Sequence, residues 1–316
     1  MKVKFWGVRG SLPSSSSPTE AKEQFALLMR EFLDKGYKTP VDIDKFLSEK
    51  NLVDVSGYGV ATTCVQVKSS DDEQMLIIDG GSGIKYLSDT LAKNRFAQKE
   101  YHILITHFHF DHILGLPFFA PHFIPGCTVK YYCVQPECEK IVRDLFQKPI
   151  FPVGYEDLKA NIQFIKLSPY EKRYINGFAV TPYLLDHPDP CYGFRIEHDG
   201  KAYGHAVDTE ATRTTAEQLG QDAGLYQNLD LMYIDAQYVE EEMDHKKGWG
   251  HGTFERAFNL CGNFAIKQVY MAHYDPSASL KDIQNIKERA RAAFEKHAAS
   301  KTTVWDFAYE TQEIEL

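Results

Sequence analysis

Between Thr106 and Ile113 the chain reads His107-Phe108-His109-Phe110-Asp111-His112, which sets three imidazoles and a carboxylate within six residues. Side chains of these types at this spacing can hold metal ions. The His-x-His pair offers imidazole nitrogens to one cation, and the adjacent Asp111-His112 offers a carboxylate and a third imidazole to a second. A histidine-rich loop of incidental polarity is the bland alternative, and four ligand-type side chains packed this tightly argue against it. The preceding stretch 101–105, Tyr-His-Ile-Leu-Ile, is a short aliphatic run of the kind that forms a buried strand. The pattern therefore predicts that His107 opens a loop at the C-terminal end of a strand.

The pattern His107-x-His109-x-Asp111-His112 resembles the signature of the metallo-β-lactamase superfamily, a four-layer αβ/βα sandwich of hydrolases and some oxidoreductases. Four further features of that family have counterparts here: the turn Asp79-Gly80-Gly81 after an apolar strand, His187 in Leu185-Asp186-His187-Pro188, Asp208 in Val207-Asp208-Thr209, and His273 in Ala272-His273-Tyr274. Two motifs are similar to the phosphodiesterase branch, which includes tRNA 3′-processing endonucleases and cyclic-nucleotide phosphodiesterases. They are Cys191-Tyr192-Gly193-Phe194-Arg195-Ile196 and Gly250-His251-Gly252-Thr253. The second departs from the commoner Gly-His-Ser-Thr, which alters local hydrogen bonding and leaves the histidine in place.

The resemblance and ligand chemistry together give an expected site. His107, His109 and His187 suit one divalent ion; Asp111, His112 and His273 suit a second; Asp208 bridges them. The expected ions are two Zn2+, with Mn2+ or Fe2+ as alternatives, and a hydroxide shared between them is the expected nucleophile, with Asp111 counted among the catalytic residues as well as the ligands. These seven residues fill two coordination spheres, so His251 takes another role. In the resembling family this histidine donates a proton to the departing alkoxide, and Asp235 can accept a hydrogen bond from its other nitrogen. Asp79 is expected to brace the histidine-rich loop. His102, His122, His198, His245 and His297 read as surface or core residues, and His205 as a strand residue close to Asp208. Trp249, beside Lys246 and Lys247, has two readings, a stacking surface for a base or a packed loop residue. Arg9 has two as well, a substrate phosphate contact or a structural arginine.

The rest of the chain must position that site. With 316 residues, 43% of them hydrophobic and 25% charged, it can bury a large core, and the expected organisation is one domain over residues 1–316. No run approaches the roughly twenty apolar residues that span a bilayer, and residues 1–6 are too short and alternating for a signal peptide, so the expected location is the cytoplasm and no membrane partner is expected. The six cysteines have no regular spacing and read as reduced thiols. A net charge of −9 argues against a grip on a long polyanion, whereas a small phosphodiester can be neutralised locally by metal ions.

An insertion is expected over residues 12–58, opened by Ser14-Ser15-Ser16-Ser17-Pro18. Ser17-Pro18-Thr19-Glu20 is a capping box, with Phe25, Leu28, Met29 and Phe32 on one helical face; Thr39-Pro40-Val41-Asp42 repeats the signal before Ile43, Phe46 and Leu47. The resulting helical hairpin reads as a lid or a homodimer contact, or as surface packing. Strands are expected at 3–8, 64–68, 75–78, 129–134, 162–167, 180–185, 192–197, 202–206, 231–234 and 303–307, and a helix capped by Ser279 through about Ala299.

The expected activity is a binuclear-metal phosphodiesterase acting on a small substrate such as a cyclic nucleotide. The alternatives are a tRNA 3′-end endonuclease, for which the chain has no basic Gly- and Pro-rich arm, a thioester or lactam hydrolase on the same fold, and a structural metal site without catalysis.

Overall fold

In the computed structural model, which describes residues 1–297 and 302–316, the chain folds into two seven-stranded sheets. The first contains β1 (Lys2–Gly7), β2 (Cys64–Lys68), β3 (Met75–Ile78), β4 (Glu100–Leu104), β5 (Thr128–Cys133), β6 (Asn161–Lys166) and, at the end of the chain, β14 (Glu313–Glu315). The second contains β7 (Arg173–Ile175), β8 (Phe178–Leu184), β9 (Tyr192–His198), β10 (Lys201–Ala206), β11 (Leu231–Asp235), β12 (Gln268–Ala272) and β13 (Val304–Phe307). Their orders are 14-1-2-3-4-5-6 and 13-12-11-10-9-8-7. In each sheet an antiparallel part gives way to a parallel one, at β3–β4 in the first and β10–β11 in the second.

The strand period of two sorts the first sheet's side chains onto different cores. Val3, Phe5, Leu76, Ile78 and Tyr132 join a core shared with second-sheet residues Phe194, Ile196, Ile234 and Met271. The alternate residues Met75, Ile77, Ile103, Val129 and Tyr131 pack against the helical residues Leu87 and Val142 and the loop residue Phe119 on the other face. The architecture is therefore the expected sandwich of facing sheets with helices outside.

Between β1 and β2 lie three helices, α1 (Pro18–Asp34), α2 (Pro40–Ser48) and α3 (Leu52–Ser56). Both expected caps form: Ser17 N donates to Glu20 Oε2 at 2.7 Å, and Thr39 N donates to Asp42 Oδ2 at 2.8 Å. The expected apolar face buries less than its pattern suggests. Phe32 and Phe46 meet edge to face at 5.6 Å and hold the hairpin closed, whereas Phe25, Met29, Ile43 and Leu47 remain exposed.

Two expectations need correction. Cys133 and Cys138 are joined in a disulfide, because the turn from β5 into the helix Cys138–Leu145 brings their Cα atoms to 6.2 Å, within bridging range. Cys64, Cys127, Cys191 and Cys261 are free and buried. The C-terminal helix runs over Leu280–Phe294, shorter than expected, and Ala299 lies outside the described residues. Among the described residues no helix is long and apolar enough to cross a membrane.

Candidate metal centre

The site is built on strand C-termini, where open α/β sheets place their ligands. His107 follows β4, His187 follows β8, Asp208 follows β10, Asp235 ends β11 and His273 follows β12. Two groups of ligand-type atoms form there, each with its atoms within 4.8 Å of one another: His107, His109, His187 and Asp208, and then Asp111, His112, Asp208 and His273. These are the two expected sets, with Asp208 common to both.

Each histidine of the two groups has one ring nitrogen held by a neighbour, which fixes the ring and leaves the other nitrogen for the centre. The Asp79 carboxylate accepts from His112 Nδ1 at 2.8 Å and from Thr106 N and Thr106 Oγ1 at 2.9 Å each. Thr106 Oγ1, its proton committed to Asp79, accepts from His107 Nδ1 at 3.0 Å. The backbone oxygen of Asp189 holds His187 Nδ1 at 2.9 Å, and its carboxylate holds His109 Nε2 at 2.9 Å. Gln237 Oε1 accepts from His273 Nδ1 at 3.1 Å. Asp79 thus braces the loop as expected. Thr106, Asp189 and Gln237 went unnoticed in the sequence, although each lies within two residues of a candidate residue.

The nitrogens and oxygens left over test whether metal ions fit. His107 Nε2, His112 Nε2, His187 Nε2 and both carboxylate oxygens of Asp208 are buried without a well-aligned hydrogen bond, although Asp208 Oδ1 lies 2.9 Å from His273 Nε2 and 3.3 Å from His112 Nε2. An unsatisfied buried polar atom costs about 1–3 kcal/mol, more when charged, so a cluster of poorly satisfied nitrogens and oxygens is costly without ligands. Their types, imidazole nitrogen and carboxylate oxygen, are those that zinc and similar divalent ions take. The donor set fits two cations.

Electrostatics point the same way. Burial opposes charge on His112, yet Asp208, Asp111 and Asp79 outweigh it and hold its pKa well above the ordinary value. His273 is likewise raised, to about 10, by Asp208, Asp111 and Asp235 against its burial. Burial also opposes the charge of Asp208, but His273 and His112 keep it ionised and well below the usual carboxylate range. Asp111 is lowered in the same manner by His112 and His273. Buried carboxylates that draw protons onto their neighbours make a field that a divalent cation would neutralise.

His251 stands beside this centre. Its Nδ1 donates to Asp235 Oδ2 at 2.8 Å and lies 3.9 Å from Asp208 Oδ2, while its ring sits 4.8 Å from that of His273. Asp235 is fixed in turn, because its Oδ1 accepts from Gln237 N at 3.0 Å. Asp208, Asp235, His251 and His273 form a third cluster within 4.8 Å, but the His251–Asp235 hydrogen bond already satisfies its inner pair.

The loop before His251 is pinned by Glu210, whose buried carboxylate accepts from Gly248 N and, at 3.2 Å, from Gly250 N. Gly252, the departure from Gly-His-Ser-Thr, has a local cause: a Cβ there would stand 2.8 Å from Thr209 O and 3.2 Å from Asp235 O. Gln135 ties two ligand loops together, its Nε2 donating to Thr106 O and Pro190 O at 2.8 Å each. No local signal marked Gln135 or Glu210, since each acts on residues about thirty to fifty positions away.

Other residues fall outside the centre. Arg9 donates from Nε to the backbone oxygen of Gly59 and from Nη1 to those of Asp275 and Ala278, so it ties two loops together, the structural reading. His205 is buried on β10 with Nδ1 at 3.0 Å from Tyr203 Oη, the strand reading. His122 and His102 are buried core residues paired to Tyr131 and Tyr132.

A family model described as the Beta-lactamase superfamily domain matches residues 77–274, more than half the chain and all of the ligand-bearing strand ends. The chain belongs to that superfamily. It is a metallo-hydrolase of this group, similar to the Ribonuclease Z of Staphylococcus haemolyticus, with 23% identity over 60% of this chain and 75% of the relative. Among solved structures, Zn(2+)-bound PqqB from Methylobacterium extorquens superposes with a TM-score of 0.64 at 15% identity, covering 100% of both chains. A diphosphatase of the PhnP family superposes with a TM-score of 0.59 at 17% identity, covering 100% of this chain and 97% of that one. At these identities the structural likenesses show the shared superfamily fold.

Proposed function

We propose that the protein is a binuclear phosphodiesterase, with His107, His109, His187, Asp111, His112 and His273 as terminal ligands, Asp208 as the bridge, and a small phosphodiester such as a cyclic nucleotide as substrate. The observation that carries this reading is the His251–Asp235 pair beside the shared carboxylate. A two-metal centre alone suits many hydrolyses, but a carboxylate-backed imidazole at its edge suits one with a basic oxygen leaving group. When bound, two divalent ions, Zn2+ in our reading, would activate water near neutral pH and neutralise phosphate charge.

The chain's own residues supply the rest. Asp79, Thr106, Asp189 and Gln237 fix the ligand rings, so the site is organised before substrate arrives. Asp235 accepts the Nδ1 proton of His251 and fixes the ring, and in this reading a proton on its Nε2 passes to the departing oxygen. The names of the relatives support phosphoester chemistry: one is a ribonuclease, another a diphosphatase. A tRNA endonuclease is the second reading, favoured by the Ribonuclease Z similarity and opposed by the net charge of −9.

The deciding experiment is a hydrolysis screen of metal-loaded protein with bis(p-nitrophenyl) phosphate, cyclic mononucleotides, a thioester and a tRNA precursor. Turnover of the cyclic nucleotides ahead of the tRNA precursor supports the proposal, and thioester hydrolysis alone overturns it. The apolar residues left exposed on α1, namely Phe25, Met29 and Leu33, favour a homodimer contact over surface packing. Sedimentation of wild type against Phe25→Glu/Leu33→Glu reads this, and a monomeric wild type rules it out.

A further inference from the structure

Trp249 is 55% exposed, yet its loop is built to hold it still. Glycines with positive φ flank it, Gly248 at +83° and Gly250 at +90°, a conformation that L side chains rarely adopt. The Glu210 carboxylate bonds the amides of both glycines from below. Gly250 also approaches His187 so closely that a Cβ there would lie 2.6 Å from the ring Nε2. The next residue is His251. The indole therefore stands on a fixed loop, one residue from a candidate metal ligand's ring on one side and two residues from the candidate acid.

Its surroundings are those of a binding surface. Lys246 Nζ lies 4.2 Å from the Trp249 ring centroid and 4.7 Å from that of Tyr238, whose ring is 6.0 Å from His251. Lys246 and Tyr238, with Gln237, the residue that holds His273, line a neighbouring cavity of about 490 Å³ whose wall does not include Trp249 itself. A cation at one face of an aromatic ring is a favourable contact, and more than half of this indole remains in solvent. The exposed part can stack on a planar π-system.

We propose that Trp249 is a specificity residue that stacks on the nucleobase of the substrate while its phosphate lies at the metal centre. This rests on the phosphodiesterase reading above and narrows it to nucleotides. The preference would come from the heterocycle's π-face, with Lys246 adding positive charge to the same subsite.

The test compares AMP and ribose 5-phosphate, which differ by the base, as ligands of metal-loaded wild type, Trp249→Ala and Trp249→Phe in calorimetry. Wild type should prefer AMP. The ratio of the two affinities should fall roughly 5- to 100-fold in Trp249→Ala, the range that base–aromatic stacking carries, and be largely kept in Trp249→Phe. AMP should also quench tryptophan emission in wild type, and that quench should vanish in Trp249→Phe although binding persists. No preference for AMP in wild type, or equal losses of both ligands in Trp249→Ala, overturns the proposal. Failure of the phosphodiesterase reading is distinguishable: AMP would still bind through Trp249, but no diester would be hydrolysed. Conversely, brisk hydrolysis of methyl p-nitrophenyl phosphate with no base preference would leave the reading standing and remove the platform.

Discussion

Asp235 Oδ2 lies 2.8 Å from His251 Nδ1, and both residues are buried at the edge of the candidate centre. A carboxylate in this position sets the tautomer and the orientation of the ring. For this reason we expect His251→Ala to keep its metal ions and to lower kcat by roughly 10²- to 10⁴-fold on an alkyl phosphodiester. The loss should shrink with a p-nitrophenolate leaving group, which needs no proton. Asp235→Asn should follow the same pattern at about a tenth of the effect or more. Equal losses on the two leaving groups, or loss of a metal ion, would show that His251 has another role.

Asp208 stands in both ligand groups, so it should control metal content more than any residue that stands in one. Elemental analysis of purified protein is expected to give close to two divalent ions per chain, and Asp208→Ala fewer than one tightly held ion. Chelation should lower Tm, because ions that bind only the folded state stabilise it by about 2.7 kcal/mol at a hundred times their Kd. Wild-type and Asp208→Ala proteins with the same single ion would exclude a bridge.

His122 offers a pH test remote from the centre. It is fully buried with Tyr131 Oη donating to its Nε2, and burial lowers its pKa from 6.5 to about 4. A folded-state pKa below the unfolded value means that the unfolded chain binds the proton more readily. The contribution to stability is then complete above pH 6.5 and is lost as pH falls toward 4. Between pH 7.5 and 5 this residue alone should remove about 2 kcal/mol. Urea unfolding at these pH values should show a smaller decline in His122→Leu than in wild type, and parallel declines would contradict the assignment.

Gly252→Ser would restore the commoner residue of the motif, yet it should be harmful here. Its Cβ would press on Thr209 O at 2.8 Å and Asp235 O at 3.2 Å, both backbone atoms that cannot swing aside. Overpacking of this kind costs about 1–3 kcal/mol. We expect a lower urea midpoint together with reduced turnover of alkyl diesters, since His251 is the preceding residue. A variant with wild-type midpoint and kinetics would mean that the loop yields freely.

The ligand types were legible in the sequence because metal chemistry is confined to few side chains, and because His107, His109, Asp111 and His112 lie so close together that one loop must carry them. The strands were legible from apolar runs, and the α1 and α2 starts from Ser17 and Thr39 caps, since both signals are local. Periodicity could not say how much of α1 is covered: Phe25 and Phe32 share a face, but only Phe32 meets Phe46. Tertiary structure alone decided relations between distant residues. It spent donors of Arg9 on two loops, placed Glu210 under Gly248 and Gly250, and set Gln135 between Thr106 and Pro190. The physical reason is common to all three. A side chain's type fixes what it can bind, whereas what it does bind depends on which backbone groups the sheets bring within about 3 Å of it.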